Sequence, residues 1–117
     1  MKREDMVENA AIDLDVMRQG AQGACALMKV LANPDRLLLL CQIADGERNV
    51  GELEEALGIG QPTLSQQLTV LRSESLVATR RDGKNIYYRL ASPQAMAIMQ
   101  ALYAQFCASA KPKRSRQ

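Results

Sequence analysis

The chain predicts a mainly α-helical fold with one small β-wing, and three observations carry that expectation. Apolar residues recur every three or four positions in separate stretches along the 117 residues, the spacing of a helix face. The segment Gly60–Leu90 reads as a polar-faced helix, a short strand, a basic turn and a second strand. Two short helices flank Gly58-Ile59-Gly60, a glycine turn between helices. Together these describe a winged helix-turn-helix of five helices plus a two-stranded hairpin.

Residues 1–12 are polar and are expected to form a flexible N-terminal segment ahead of a single domain over 13–109. From Asp13 to Leu31, the positions Leu14, Met17, Ala21, Ala24, Met28 and Leu31 form a helix stripe. Gly20 and Gly23 each weaken that helix by roughly 1 kcal/mol relative to alanine, or let another helix approach closely. Asn33-Pro34 is a helix start, with a capping residue followed by proline at the first helical position. That second helix runs through Leu37-Leu38-Leu39-Leu40-Cys41 to Ala44. Four consecutive leucines cover every face of a turn and mark it as central.

Asn49 or Val50 opens the third helix, which runs to Leu57 and stops at Gly58. Gln61-Pro62 begins the fourth helix, with Leu64, Leu68 and Leu71 inward at i, i+4 and i+7. Leu76–Arg80 is the first strand, Asp82-Gly83 the tight turn and Asn85–Leu90 the returning strand. Ser92-Pro93 starts the last helix, which extends to Ser109 with Met96, Met99, Tyr103 and Phe106 along one stripe. Ala95, Ile98 and Leu102 widen the stripe, which predicts burial against more than one partner. A homodimer joined through the first and last helices is expected, because a short helical chain with little aromatic bulk completes its core by association. Residues 110–117 form a basic tail expected to be disordered.

Charge is unevenly distributed. Residues 1–60 carry 6 Lys+Arg against 11 Asp+Glu, and residues 61–117 carry 9 against 2, so a net −5 adjoins a net +7. An acidic half joined to a basic half points to one anion-facing surface. The candidates for reading a DNA groove are Gln61, Thr63, Ser65, Gln66 and Thr69, since glutamine can pair with adenine and Ser or Thr with several bases. Arg80, Arg81 and Lys84 on the hairpin are candidate phosphate clamps. Tyr87 and Tyr88 lie on opposite sides of their strand, so one packs and the other is exposed.

No apolar run approaches the roughly 18 residues of a membrane span, and the acidic, polar N-terminus does not read as a signal peptide. A cytoplasmic location is expected. Three cysteines and no histidine argue against a disulfide framework and remove the commonest general base and metal ligand. Read from spacing alone, Cys25, Cys41 and Cys107 fit small buried hydrophobes as well as reactive thiols. With no CxxC or CxC, neither a metal site nor any cofactor is expected.

The chain then shows Asn33-Pro-Asp-Arg-Leu37, Gly51-Glu-Leu-Glu-Glu-Ala-Leu-Gly58, Gln61-Pro-Thr-Leu-Ser-Gln-Gln-Leu68 and Leu71-Arg72. These are followed by Leu76-Val77, Arg80-Arg81, Gly83 and Tyr87-Tyr88-Arg89-Leu90. In these motifs, over roughly residues 16–108, the sequence resembles the ArsR/SmtB family of dimeric winged-helix repressors. Metal sensors of that family carry Glu-Leu-Cys-x-Cys-Asp-Leu entering the third helix, where this chain has Asn49 and Gly51 at the cysteine positions. Others use Asp and His on the last helix, which has neither between Pro93 and Ser109.

Cys41 on the second helix and Cys107 on the last look like the BigR/SqrR subgroup, whose members sense reactive sulfur through one cysteine on each of these helices. The resemblance implies a repressor, not an enzyme, that binds an inverted repeat in promoter DNA as a homodimer. It implies a persulfide or polysulfide inducer and a Cys41–Cys107 sensing pair whose bridging releases the operator. Because attack requires a thiolate, at least one of the pair is expected to ionise below the free value of about 8.5. The competing readings are a thiol-based arsenite or soft-metal repressor, a general oxidation-sensing repressor, a thiol enzyme and an architectural DNA binder. Intact mass after persulfide, and separately after peroxide, separates sulfur sensing from general oxidation sensing.

Overall fold

The structure is a computed structural model that describes residues 11–107. Its elements are α1 (Leu14–Leu31), α2 (Pro34–Ala44), β1 (Arg48–Asn49), α3 (Val50–Leu57), α4 (Thr63–Ser73), β2 (Val77–Asp82), β3 (Asn85–Leu90) and α5 (Pro93–Phe106). Most of the 1–12 segment, Ser109 and the 110–117 tail lie outside the described residues.

Local chemistry sets the helix starts. The Asp13 carboxylate accepts from the amides of Asp15 and Val16, the Asn33 side chain from Arg36, and the Ser92 hydroxyl oxygen from Ala95. Asn49 and Glu52 form a reciprocal capping box at the start of α3. Gly58 ends α3 at φ +68°, a left-handed conformation that favours glycine. Gly83 opens the two-residue hairpin loop at φ +64° for the same reason.

Helix α2 is central, packing against α1, α3, α4 and β3. Leu39, Leu40 and Ile43 from α2 meet Leu53 of α3, Leu64, Leu68 and Leu71 of α4, and Met99 of α5 in one buried cluster. The four-leucine run does not bury every face, however. Leu39 and Leu40 are fully enclosed, whereas Leu38 is 51% exposed. Successive helical residues turn by about 100°, so one of four must leave any one-sided core.

Several details differ from expectation: α5 ends at Phe106 with Cys107 as its C-cap, short of Ser109, and neither Tyr87 nor Tyr88 is exposed. The sheet has three strands in the order β1-β3-β2, all antiparallel, not two. Strand β1 pairs Arg48 with Tyr88 and Asn49 with Tyr87, and at two residues it is too short to show a period in sequence. Strand β2 begins one residue later and ends two later than expected, because pairing with β3 continues to Asp82 opposite Asn85. Tyr88 packs against the core, and Tyr87 is half-buried beneath Arg80.

The long helices bury little within one chain. On α1, Val30 and Leu31 are buried, while Leu14, Met17 and Met28 of the apolar stripe are exposed. On α5, Ala95 and Met99 are buried but Tyr103 and Phe106 are exposed, so the far half of its stripe is uncovered. A groove of about 690 Å³ runs between these helices, lined by Gly20, Gly23, Ala24, Leu27 and Ile98 among others. A Cβ added at Gly20 or Gly23 would meet nothing within 4 Å.

Candidate nucleic-acid interface and thiol pair

Burial of Leu64, Leu68 and Leu71 turns one side of α4 inward and so turns its polar residues outward. Gln61, Thr63, Ser65, Gln66 and Thr69 are all exposed. Gln61 stands in the turn just before the helix rather than in its first turn. The Ser65 hydroxyl donates to Gln61 Oε1, and the Thr69 hydroxyl donates to the Ser65 carbonyl at 2.8 Å. Those two hydroxyls are engaged locally as donors and keep acceptor capacity outward. Gln67, on the flank of the same face, is half-buried, and its Oε1 accepts from Arg36 Nη1 at 3.0 Å.

The wing treats its three cations differently. Arg81 and Lys84 are exposed at the hairpin tip. Arg80 is engaged within the molecule: its Nε donates to Glu47 at 2.9 and 3.0 Å, and its Nη2 lies 2.8 Å from Glu47 Oε1. Its guanidinium also sits 4.8 Å from the Tyr87 ring centroid. The hydrogen bond from Arg80 holds the Glu47 carboxyl below the usual carboxylate range, and Glu47 in turn raises Arg80. Sequence reasoning did not find Glu47 or Arg36, since neither partner lies within a helical or strand period of its mate.

The three thiols are free, with Cys25 and Cys41 exposed and Cys107 half-buried. Cys41 is therefore not a core hydrophobe. It borders a cleft of about 810 Å³ between α2 and α5, with Leu38, Leu57, Met96, Met99 and Tyr103 as its apolar walls. Cys107 caps the C-terminal end of α5, its amide donating to the Tyr103 carbonyl at 2.8 Å.

Partial burial raises the Cys41 pKa first, then the charge of Cys107, then that of Asp45. The expectation that at least one of the pair ionises low is therefore not met at Cys41, whose partial burial disfavours the thiolate. The described residues contain no group of three or more His, Cys, Asp or Glu side chains that would hold a metal ion. No described helix is long and apolar enough to cross a membrane.

A helix-turn-helix with a polar outward face, followed by a hairpin with exposed cations, defines a winged helix-turn-helix DNA-binding transcriptional regulator. The bacterial regulatory protein arsR family matches residues 33–79. A biofilm growth-associated repressor from Agrobacterium fabrum is 50% identical over 105 residues, covering 90% of each chain. The crystal structure of the transcriptional repressor BigR from Xylella fastidiosa superposes with a TM-score of 0.80 at 48% identity, covering 84% of this chain and 100% of that one. A homodimeric winged helix-turn-helix DNA-binding domain from Mycobacterium bovis superposes at 0.67 with 28% identity, covering 92% of this chain and 99% of its own. The chain belongs to the ArsR family and is a transcriptional repressor of the BigR type. Its fold and relatives are those of DNA-binding regulators, not of enzymes.

Proposed function

We propose that the protein represses transcription as a homodimer on an inverted repeat and releases it when reactive sulfur oxidises the Cys41–Cys107 pair. The observation that carries this reading is an exposed Cys41 on α2 lining the open cleft against α5, the helix that Cys107 caps. A persulfide RSSH transfers its outer sulfur to one cysteine thiolate, and RSH leaves. The second thiolate then attacks the cysteine sulfur of the resulting Cys–S–SH, expelling hydrosulfide. The net change is two thiols and one RSSH going to one disulfide, one RSH and one hydrogen sulfide. If a second RSSH is instead attacked by the terminal sulfur or the second thiolate, closure gives a bridge with one more sulfur, a second RSH and one hydrogen sulfide.

Such a bridge ties α2, which packs on α4, to the end of α5. The dimer reading rests on the uncovered apolar faces of α1 and α5 and the open groove between them. In a dimer, the two α4 helices would meet half-sites about 34 Å apart. Tying α5 to α2 in each protomer alters that spacing. A coupling of roughly 1–3 kcal/mol, or 5–150-fold in affinity, is the usual scale of such a switch.

The test begins with a duplex selected by the wild-type protein from a random-sequence library. Cys41→Ser and Cys107→Ser should each bind that duplex as wild type does and fail to release it after glutathione persulfide. Full release by either variant overturns the dithiol reading. Intact mass spectrometry should show loss of two hydrogens, or that loss plus sulfur, with persulfide. Equal modification and release by peroxide would replace it with general oxidation sensing.

A further inference from the structure

The end of α1 leaves carbonyl groups that need partners. The last four carbonyls of a helix lack intrahelical donors. Here the Met28 carbonyl accepts from Ala32 at 2.9 Å and the Leu31 carbonyl from Asn33 at 2.8 Å. The two between them are met by one side chain from α2. Arg36 Nε donates to the Val30 carbonyl at 2.7 Å, and Arg36 Nη2 reaches the Lys29 carbonyl at 3.4 Å. A cation there also complements the negative end of the helix. The third arm of the same guanidinium, Nη1, donates to Gln67 Oε1 on α4 at 3.0 Å.

The geometry points to Arg36 as a positioning residue for DNA recognition, clamping Gln67 of α4 to the C-terminal end of α1. This rests on the reading of α4 as the DNA-contacting helix. A guanidinium is planar, so three acceptors on its fork are fixed relative to one another. Two of those acceptors belong to α1 and one to α4. Arginine has no acceptor, so the amide oxygen of Gln67 must face it and the Nε2 donor is the end left unheld. The clamp therefore sets both the placement of α4 against α1 and the orientation of one amide on its polar face. With Oε1 engaged, Gln67 offers donors, which suits base-edge acceptors such as guanine O6 and N7 or thymine O4.

The test compares affinity for the selected duplex with affinity for a random-sequence duplex, alongside the melting temperature. Gln67→Met keeps the volume, removes the acceptor and leaves Arg36 on the α1 carbonyls. It should lower selected-duplex affinity at least roughly fivefold, the low end of a lost base contact, with random-duplex affinity and melting temperature nearly unchanged. Arg36→Lys, which keeps the charge but not the fork, should lower the selected-to-random ratio to a similar extent. The double variant should lose no more than the worse single one, because both remove the same contact.

An unchanged ratio in Gln67→Met overturns the proposal. So does a full ratio in Arg36→Lys with a depressed melting temperature, which would make Arg36 a helix cap only. Loss in Gln67→Met with no loss in Arg36→Lys would make Gln67 a base contact that needs no clamp. Failure of the wild-type protein to enrich any duplex would instead strike the DNA-binding reading itself.

Discussion

Arg80 and Glu47 form a fork-like ion pair that fastens the wing to the loop ahead of β1, with Nη2 at 2.8 Å and Nε at 2.9 and 3.0 Å from the carboxylate. One of the three wing cations is thus ion-paired within the molecule, though itself exposed, while Arg81 and Lys84 make no ion pair among the described residues. Because Glu47 ionises below the usual carboxylate range, the pair persists at neutral pH and is lost only as pH falls through that lowered value.

Freeing Arg80 should strengthen general DNA attraction. Glu47→Gln is expected to tighten random-duplex binding severalfold at low salt. The slope of log K against log salt should steepen by about 0.9, the value of one added phosphate contact. Arg81→Ala and Lys84→Ala should each make it shallower by about 0.9, and Arg80→Ala should change it little. A salt titration followed by fluorescence anisotropy reads all four.

The polar face of α4 should govern sequence choice rather than bulk affinity. Gln66→Ala and Thr63→Ala remove exposed polar side chains whose neighbours on the inward side are the buried leucines. Each should weaken selected-duplex binding by about 1–3 kcal/mol, the usual worth of a good base contact, and leave random-duplex binding unchanged. Competition binding with the two duplexes measures the difference.

Cys41 should react late in a pH series. Its raised pKa means the folded state holds the thiol proton more tightly than the unfolded chain does. The associated stability is therefore present below the unfolded pKa and is lost as pH rises through the folded one. Alkylation of Cys41 by iodoacetamide should show a midpoint above that of the denatured protein. In Cys107→Ser the midpoint should fall, because the second-largest cause of the shift is removed. Peptide mass spectrometry of the alkylation time course gives both midpoints.

Nearby leucines on α2 should differ sharply. Leu40 is fully buried and Leu38 is 51% exposed. Leu40→Ala should cost about 2–5 kcal/mol from lost transfer energy and a cavity. Leu38→Ala should cost under about 1 kcal/mol in the fold of one chain, while opening one wall of the Cys41 cleft. Urea unfolding at fixed protein concentration gives the comparison.

Most of the fold was legible in the residues. The caps at Asn33, Asn49 and Ser92, the stop at Gly58, the hairpin turn at Gly83 and the inward leucines of α4 all fall where local pattern places them. Strand β1 was not legible, since two residues carry no period and its signal is its pairing with Tyr87 and Tyr88. The candidate site was legible in membership more than in state. The residues of α4 and the hairpin were identifiable from type and spacing, but not that Arg80 is occupied or that Cys41 is exposed.

By itself, the sequence determined what is governed within a few residues: helix faces, caps, turns, the uneven charge and the pattern that places the chain in its family. Only the tertiary structure decided which distant groups meet. Arg36 reaches Gln67 across 31 positions and Arg80 reaches Glu47 across 33. Cys107 acts on Cys41 only because α5 lies beside α2 across the cleft. Periodicity and capping are short-range and repeat along the chain. Partnership between side chains depends on how whole elements pack, and a single linear pattern does not encode that.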